Sequence, residues 1–181
     1  MDRATTMQAA FERAVEVQLP RVFAYFRRLG VAAAPADDLA QETFLIAWRG
    51  LAKVRCEGDL RPWLYGIARR CYLKHRARTA RGAMEEAEVE SRSAPADDPG
   101  SEERLALLLV RQAVRRLPDH YLQPLVLVYW EGLSYAEAAR ALSIPVGTLG
   151  WRVHQALKLL RAALGQEGAE DGALAPGTQR D

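Results

Sequence analysis

The sequence predicts an all-α protein: two small helical domains joined by a flexible acidic linker, the second a helix-turn-helix. Three observations carry this. Apolar residues recur at three- and four-residue spacings, and strand-like alternation is nearly absent. Proline, glycine and capping residues punctuate the periodic stretches into helix-length pieces. The charge is blocked: residues 49–81 carry ten basic side chains against two acids, 82–103 carry eight acids against Arg92, and 104–165 return to eight basic against three acidic.

Met7, Phe11 and Val15, then Val22, Tyr25, Phe26 and Leu29, fall at helical spacings. Pro20 is expected to divide this into two helices, and Gly30 to stop the second. The next helix is expected to start near Pro35, with Asp37 and Asp38 in its first turn, where carboxylates favour the helix dipole, and to run to about Gly50. Leu39, Phe44, Ala47 and Trp48 are its expected core residues, and Asp38, Gln41, Glu42, Leu45 and Arg49 share another face. After the loop VRCEGD, Asp59 can cap a helix whose first turn holds Pro62. Leu64, Ile67, Ala68 and Cys71 give that helix one apolar face. Arg70, Lys74, Arg78 and Arg81 give it a basic stripe, flanked by Arg69 and Arg76.

Residues 82–100 are acidic, rich in Ala, Ser, Pro and Gly, and too poor in large apolar residues to bury a core, so they read as a flexible linker. Ser101 can cap the next helix, which carries Leu105, Leu108, Leu109 and Leu117. Pro118 opens another, with an apolar face of Leu122, Leu125, Val126 and Tyr129, ended by Gly132. Ser134 and Glu137 then form an S-x-x-E capping box with Leu133 as the staple residue. The short helix YAEAARAL follows, then a turn at Ser143, Ile144 and Pro145. The last helix, from about Val146 to Leu164, buries Leu149, Val153, Ala156 and Leu160 and presents Thr148, Trp151, Arg152 and Gln155. A second helix that packs one side and projects polar groups from the other is how such a unit enters a major groove. The same pattern also serves purely structural helical hairpins. The tail, 165–181, has no periodicity and is expected to fray.

Composition removes several classes. No run of about 18 apolar residues exists, so no membrane span or direct membrane insertion is expected. The N-terminal stretch has no uninterrupted apolar core, so no secretory signal is expected either. Cys56 and Cys71 make no C-x-x-C pair, so neither a disulfide scaffold nor a structural zinc site is expected, and a reducing cytoplasm is the default location. His75, His120 and His154 are scattered, and no catalytic grouping, metal motif or glycine-rich phosphate loop occurs. The reading is therefore no enzyme, no metal and no cofactor.

These residues resemble a known family. DDLAQETFLIAWRGL, DLRPWLYGIARRCYLKHRAR and LPDHYLQPLVLVYWEGLSYAEAARALSIPVGTL together resemble a bacterial RNA polymerase sigma factor of the extracytoplasmic-function group, which keeps only conserved regions two and four. The resemblance spans nearly all of residues 7–164. It implies region two at 1–81, the linker at 82–100, region four at 101–164 and a tail at 165–181. It implies a transcription initiation factor that binds core RNA polymerase, directs it to promoter DNA and helps open the strands. By resemblance, Asp38, Gln41, Glu42, Leu45 and Arg49 dock on the clamp coiled coil of the largest polymerase subunit. Composition alone equally allows a solvated surface there. Melting and the proximal element fall to Arg55, Asp59, Leu60, Trp63, Arg69, Arg70, Lys74, Arg76 and Arg78. The same resemblance implies that the loop from Arg55 to Leu60 forms the wall of a pocket for a flipped base.

Held single strands need cations and aromatic faces, worth about 1–3 kcal/mol per stacked base, and Trp63, Tyr65 and Tyr72 are candidates. Trp63 can equally fill the core. Thr148, Trp151, Arg152 and Gln155 fall to the distal element. Here the chain departs from its relatives: Gly150, Trp151 and Gln155 stand where basic and small polar residues are common, so region four is expected to contribute less electrostatic affinity. Trp151 can alternatively pack on a neighbouring helix. Many relatives are held inactive by anti-sigma factors, so the resemblance implies such a partner, although no residue can be assigned to it. The competing functions are a stand-alone helix-turn-helix regulator, which leaves the first basic block unexplained, and a protein-binding helical adaptor.

Overall fold

The computed structural model describes residues 3–51, 60–82 and 101–165, with side chains at 15–51, 60–80 and 108–165. Met7, Phe11, Leu105 and Arg81 therefore contribute backbone only. Arg55, Cys56, Asp59, most of the expected linker and the tail beyond Gly165 lie outside the described residues. The described residues form seven α-helices and no strand. None of these helices is long and apolar enough to cross a membrane.

Helix α1 (Arg3–Arg28) runs straight through Pro20, contrary to the expected break. Pro20 and Glu16, whose carbonyl loses its helical N–H partner, are both exposed, so water can take the missing hydrogen bond. Gly30 ends the helix as expected. Its φ of 85° is left-handed, and Val31 N–H reaches back to the Phe26 carbonyl at 3.1 Å while Gly30 N–H bonds Arg27 at 3.1 Å.

Helix α2 (Ala33–Gly50) starts two residues before Pro35, with Ala32 at the cap position and no side-chain cap. Pro35 is tolerated because the N–H it lacks is among those a helix start leaves unpaired. Asp37 and Asp38 consequently lie beyond the first turn. Ala36, Leu39, Ala40, Thr43, Phe44 and Ala47 are buried. Trp48, expected in the core, is instead 46% exposed. At about 100° per residue it falls well off the buried line of Ala40 and Ala47.

Helix α3 (Arg61–Gly82) buries Leu64, Ile67, Ala68 and Cys71 as expected, and also Tyr65 and Tyr72. The burial is wider than one amphipathic stripe because α3 is sandwiched between α1 and α2 on one side and the C-terminal half on the other. That half contains α4 (Ser101–Arg116), α5 (Asp119–Tyr129), α6 (Tyr135–Leu142) and α7 (Val146–Ala163). Ser101 is the first residue of α4 rather than its cap. Leu108 and Leu109 are exposed, while Leu117, just past the helix, is buried. Tyr129, expected on the buried face of α5, is exposed at the helix end. One continuous core joins both halves, with α3 against α6 at its centre.

Candidate protein- and nucleic-acid-binding faces

The helix-turn-helix is set by local chemistry. Ser134 Oγ accepts from Glu137 N–H at 3.3 Å, Ser134 N–H donates to Glu137 Oε2 at 2.8 Å, and Leu133 is buried behind them. This is the reciprocal cap that the sequence predicts. Helix α6 ends with Ser143 in the left-handed region (φ 52°, ψ 47°), where Ile144 N–H bonds the Ala139 carbonyl at 3.0 Å. Pro145 then sits at the cap position of α7. Leu149, Val153 and Ala156 are fully buried on the seam, and Leu160 is half-buried.

The opposite side of α7 carries Thr148, Arg152 and Gln155, all half-buried, and Trp151, which is 55% exposed. Trp151 makes a tilted contact with Tyr121 of α5 (ring centroids 6.0 Å), and Tyr121 in turn meets His120 at 4.0 Å. Trp151 thus packs in part on a neighbouring helix while about half of the side chain stays exposed. The sequence did not single out His120 and Tyr121 for this face, because they lie thirty residues away in another helix. Gly150 is accommodated against Tyr135, 3.7 Å from where a Cβ would sit.

On α2, Asp38, Gln41, Leu45 and Arg49 are all exposed and Glu42 is half-buried. Gln41 Nε2 donates to Asp37 at 2.8 Å, and Lys74 Nζ of α3 donates to Glu42 at 3.3 Å. Leu45 is 57% exposed, and Ile46 and Trp48 are exposed beside it. This adds apolar area to a face that sequence reasoning built from polar groups. The face thus mixes exposed apolar and charged side chains.

On α3, Arg70, Lys74, Arg76 and Arg78 are exposed and Arg69 is half-buried, its Nε without a hydrogen-bond partner. Leu60 and Trp63 are half-buried, and the Trp63 ring lies 3.3 Å from where a Cβ on Gly50 would stand. Trp63 therefore both fills a gap beside α2 and keeps part of its ring accessible. Tyr65 and Tyr72, offered by the sequence as stacking platforms, are buried and unavailable to bases. Their hydroxyls turn to the C-terminal half: Tyr65 donates to Glu131 and Tyr72 to Asp119 (3.1 Å). Burial raises the pKa of both, and the neighbouring carboxylates add to the shift. Burial also raises the Cys71 thiol and lowers His75. Among the described residues no cluster of three or more His, Cys, Asp or Glu side chains could hold a metal ion.

A cleft of about 530 Å³ runs between α1, α4 and α5. Phe23, Val110, Val114, Val126 and Trp130 line it, with four arginines, Arg27, Arg28, Arg111 and Arg115, around them.

Comparison with known proteins points to one family for the chain. Residues 14–82 match the Sigma-70 region 2 family and residues 107–160 match Sigma-70 region 4. The ECF RNA polymerase sigma factor EcfG of Rhodopseudomonas palustris is 33% identical over 84% of this chain and 84% of its own length. The chain belongs to the extracytoplasmic-function sigma factors. SigE of Mycolicibacterium smegmatis, another member, is 31% identical over 92% of this chain and 67% of its own. Among solved structures, the sigma factor RpoE of Bartonella quintana, in complex with the anti-sigma factor NepR, superposes with a TM-score of 0.73. It is 24% identical, covering 87% of this chain and 98% of its own. CnrH in complex with the cytosolic domain of CnrY has a TM-score of 0.64 at 23% identity, covering 88% and 90%. In this sigma factor, region 2 comprises most of α1 with α2 and α3, and region 4 most of α4 with α5 to α7.

Proposed function

We propose that this sigma factor docks on core RNA polymerase through α2 and directs it to promoters through α3 and α7, acting in the cytoplasm without inserting into a membrane. The chain serves as a specificity subunit and leaves catalysis to the polymerase. The observation that carries this reading is the outward face of α2. Asp38, Gln41, Leu45 and Arg49 stand exposed there with Ile46 and Trp48, on the segment that matches region 2. We assign Glu42 to the edge of the same face.

Arg70, Lys74, Arg76 and Arg78 supply the cations and Trp63 the aromatic edge for a separated proximal element, with Arg69 and Leu60 alongside. Arg55 and Asp59 belong to the same assignment by sequence. Thr148, Trp151, Arg152 and Gln155 meet the distal element, where a glutamine can pair bidentately with adenine and an arginine with guanine or phosphate. A stand-alone regulator would not need the region 2 half. An anti-sigma factor is the further partner assigned by kinship. The cleft between α1, α4 and α5, lined by Phe23, Val110, Val114, Val126 and Trp130, suits the apolar face of a helix from such a partner.

The test is co-elution with core polymerase in the absence of DNA, followed by promoter binding. Gln155→Ala is expected to relax preference at one position of the distal element, and Arg152→Ala to weaken binding more generally and reduce its salt dependence. Failure to co-elute would remove the docking assignment. Unchanged binding in both variants would remove the α7 face.

A further inference from the structure

Three aromatic rings from two helices meet on region 4. Trp151 of α7 lies against Tyr121 of α5, with ring centroids 6.0 Å apart and planes at 59°. Tyr121 also meets His120, at 4.0 Å and 51°. The three rings are not equally placed. Tyr121 is half-buried and packed against the core, whereas His120 is exposed and Trp151 is 55% exposed. The fold therefore fixes the middle ring, and the indole rests on it. An indole is rigid and has few rotatable bonds, so a single supporting contact narrows its orientation.

Trp151 also has a defined place on α7. At about 100° per residue it points away from the buried seam of Leu149, Val153 and Ala156. Thr148 and Gln155 flank it on one side, half-buried, and His154 and Lys158 flank it on the other, exposed. The indole thus stands centrally on the outward side of the second helix of the helix-turn-helix, among groups suited to polar base edges and phosphates. In an intact duplex the base faces are stacked and out of reach. The major-groove edges are donors and acceptors, except for the C5-methyl group of thymine. An indole carries a single N–H donor and no acceptor, and the rest of it is apolar. The feature of the groove that its ring complements is therefore the thymine methyl.

We propose that Trp151 reads a thymine methyl in the distal element, and that Tyr121, braced by His120, is the positioning residue that holds the indole for this contact. The proposal rests on the function assigned above and deepens it by naming the base edge that the α7 face recognises. Tyr121 acts through Trp151 and touches no base itself. Without that support the indole would still bury area against DNA, but in several orientations. Affinity would partly survive, whereas preference for the methyl would not.

The test uses core polymerase reconstituted with the full-length factor. Promoter fragments that it selects from genomic DNA serve as probes, and each thymine of the distal element is replaced in turn by deoxyuridine, which lacks only the methyl group. Burial of one methyl group corresponds to about a threefold to fivefold change in affinity, so one of these replacements should weaken binding of the parent by that factor. Trp151→Ala should bind the thymine and deoxyuridine duplexes equally at that position. Tyr121→Leu should lose most of the discrimination, and Tyr121→Phe, which keeps the ring, should retain it. Circular dichroism checks that all three variants are folded. A merely structural Tyr121 would lower Tm in the leucine variant and leave the thymine-to-deoxyuridine ratio unchanged, which would overturn the positioning role. Normal promoter selection with no methyl-sensitive position, or a sensitive position whose penalty persists in Trp151→Ala, would overturn the thymine reading while leaving the assigned function standing. Failure of the reconstituted polymerase to select any promoter would strike that function and the reading with it.

Discussion

Leu149 and Trp151 lie two residues apart on α7 and should respond to truncation in opposite ways. Leu149 is wholly buried in the seam with α6. Replacing a buried leucine by alanine costs about 2–5 kcal/mol, the lost transfer energy plus the cavity left behind. Against a total stability of about 5–15 kcal/mol, that is a large share. For a chain of this size each kcal/mol moves Tm by roughly 2–4 °C, so Leu149→Ala should melt roughly 4–20 °C lower. Trp151 is half-exposed and makes one tilted contact with Tyr121. Such a pair is worth about 0.5–1.5 kcal/mol, so Trp151→Ala should lower Tm by only a few degrees. DNA binding should reverse the order. Measured at 10 °C, where both variants are folded, Trp151→Ala should lose several-fold in affinity for a distal-element duplex and Leu149→Ala should be near the parent. Calorimetry and anisotropy on the same preparations give both numbers. An equal loss of Tm in the two variants, or unchanged DNA affinity in Trp151→Ala, would refute the division of α7 into a packed side and a reading side.

Three further outcomes follow from the same geometry. Reversing charge at Asp38 and Glu42 to lysine should weaken binding to core polymerase about tenfold or more, with helix content by circular dichroism unchanged; undiminished affinity would remove that face. Ser134→Ala should cost about 1 kcal/mol in chemical denaturation, because it removes the acceptor for Glu137 N–H, and Ser134→Gly should cost less. Tyr25 and Tyr65 titrate far above the ordinary tyrosine value, chiefly because burial disfavours the phenolate. The folded form thus keeps protons that the unfolded chain releases near pH 10, so stability is fully present below about pH 10 and is lost as pH rises beyond it. Absorbance at 295 nm should show these tyrosines ionising late and together with unfolding, and six independent, ordinary titrations would contradict their burial.

The fold was legible where local chemistry decides it. The Ser134–Glu137 box, the Gly30 stop and the Leu149–Val153–Ala156 seam are all short-range patterns, and they stand where the sequence put them. Pro20 misled because the cost of proline in a helix depends on whether its orphaned carbonyl is buried, and spacing does not report that. Trp48 misled because bulk and hydrophobicity suit the core, whereas Ala40 and Ala47 already hold the seam. Tyr65 and Tyr72 misled for a longer-range reason. Nothing near them in sequence announces partners at Glu131 and Asp119, 66 and 47 residues away. Glu131 itself follows a helix end and precedes Gly132, the ordinary setting of a solvated turn. What the sequence could not show is which basic and aromatic residues of α3 are spent on region 4 rather than presented outward.

The central claim is that this chain gives core RNA polymerase its choice of promoter. Its most direct test is transcription of fragmented genomic DNA by core polymerase with and without the factor, followed by sequencing of transcript 5′ ends. The account predicts a set of new start sites that appears only with the factor, shares a two-part upstream element and shrinks when Arg152 or Trp151 is replaced by alanine. Start sites identical to those of core polymerase alone, despite stable binding of the factor, would contradict it.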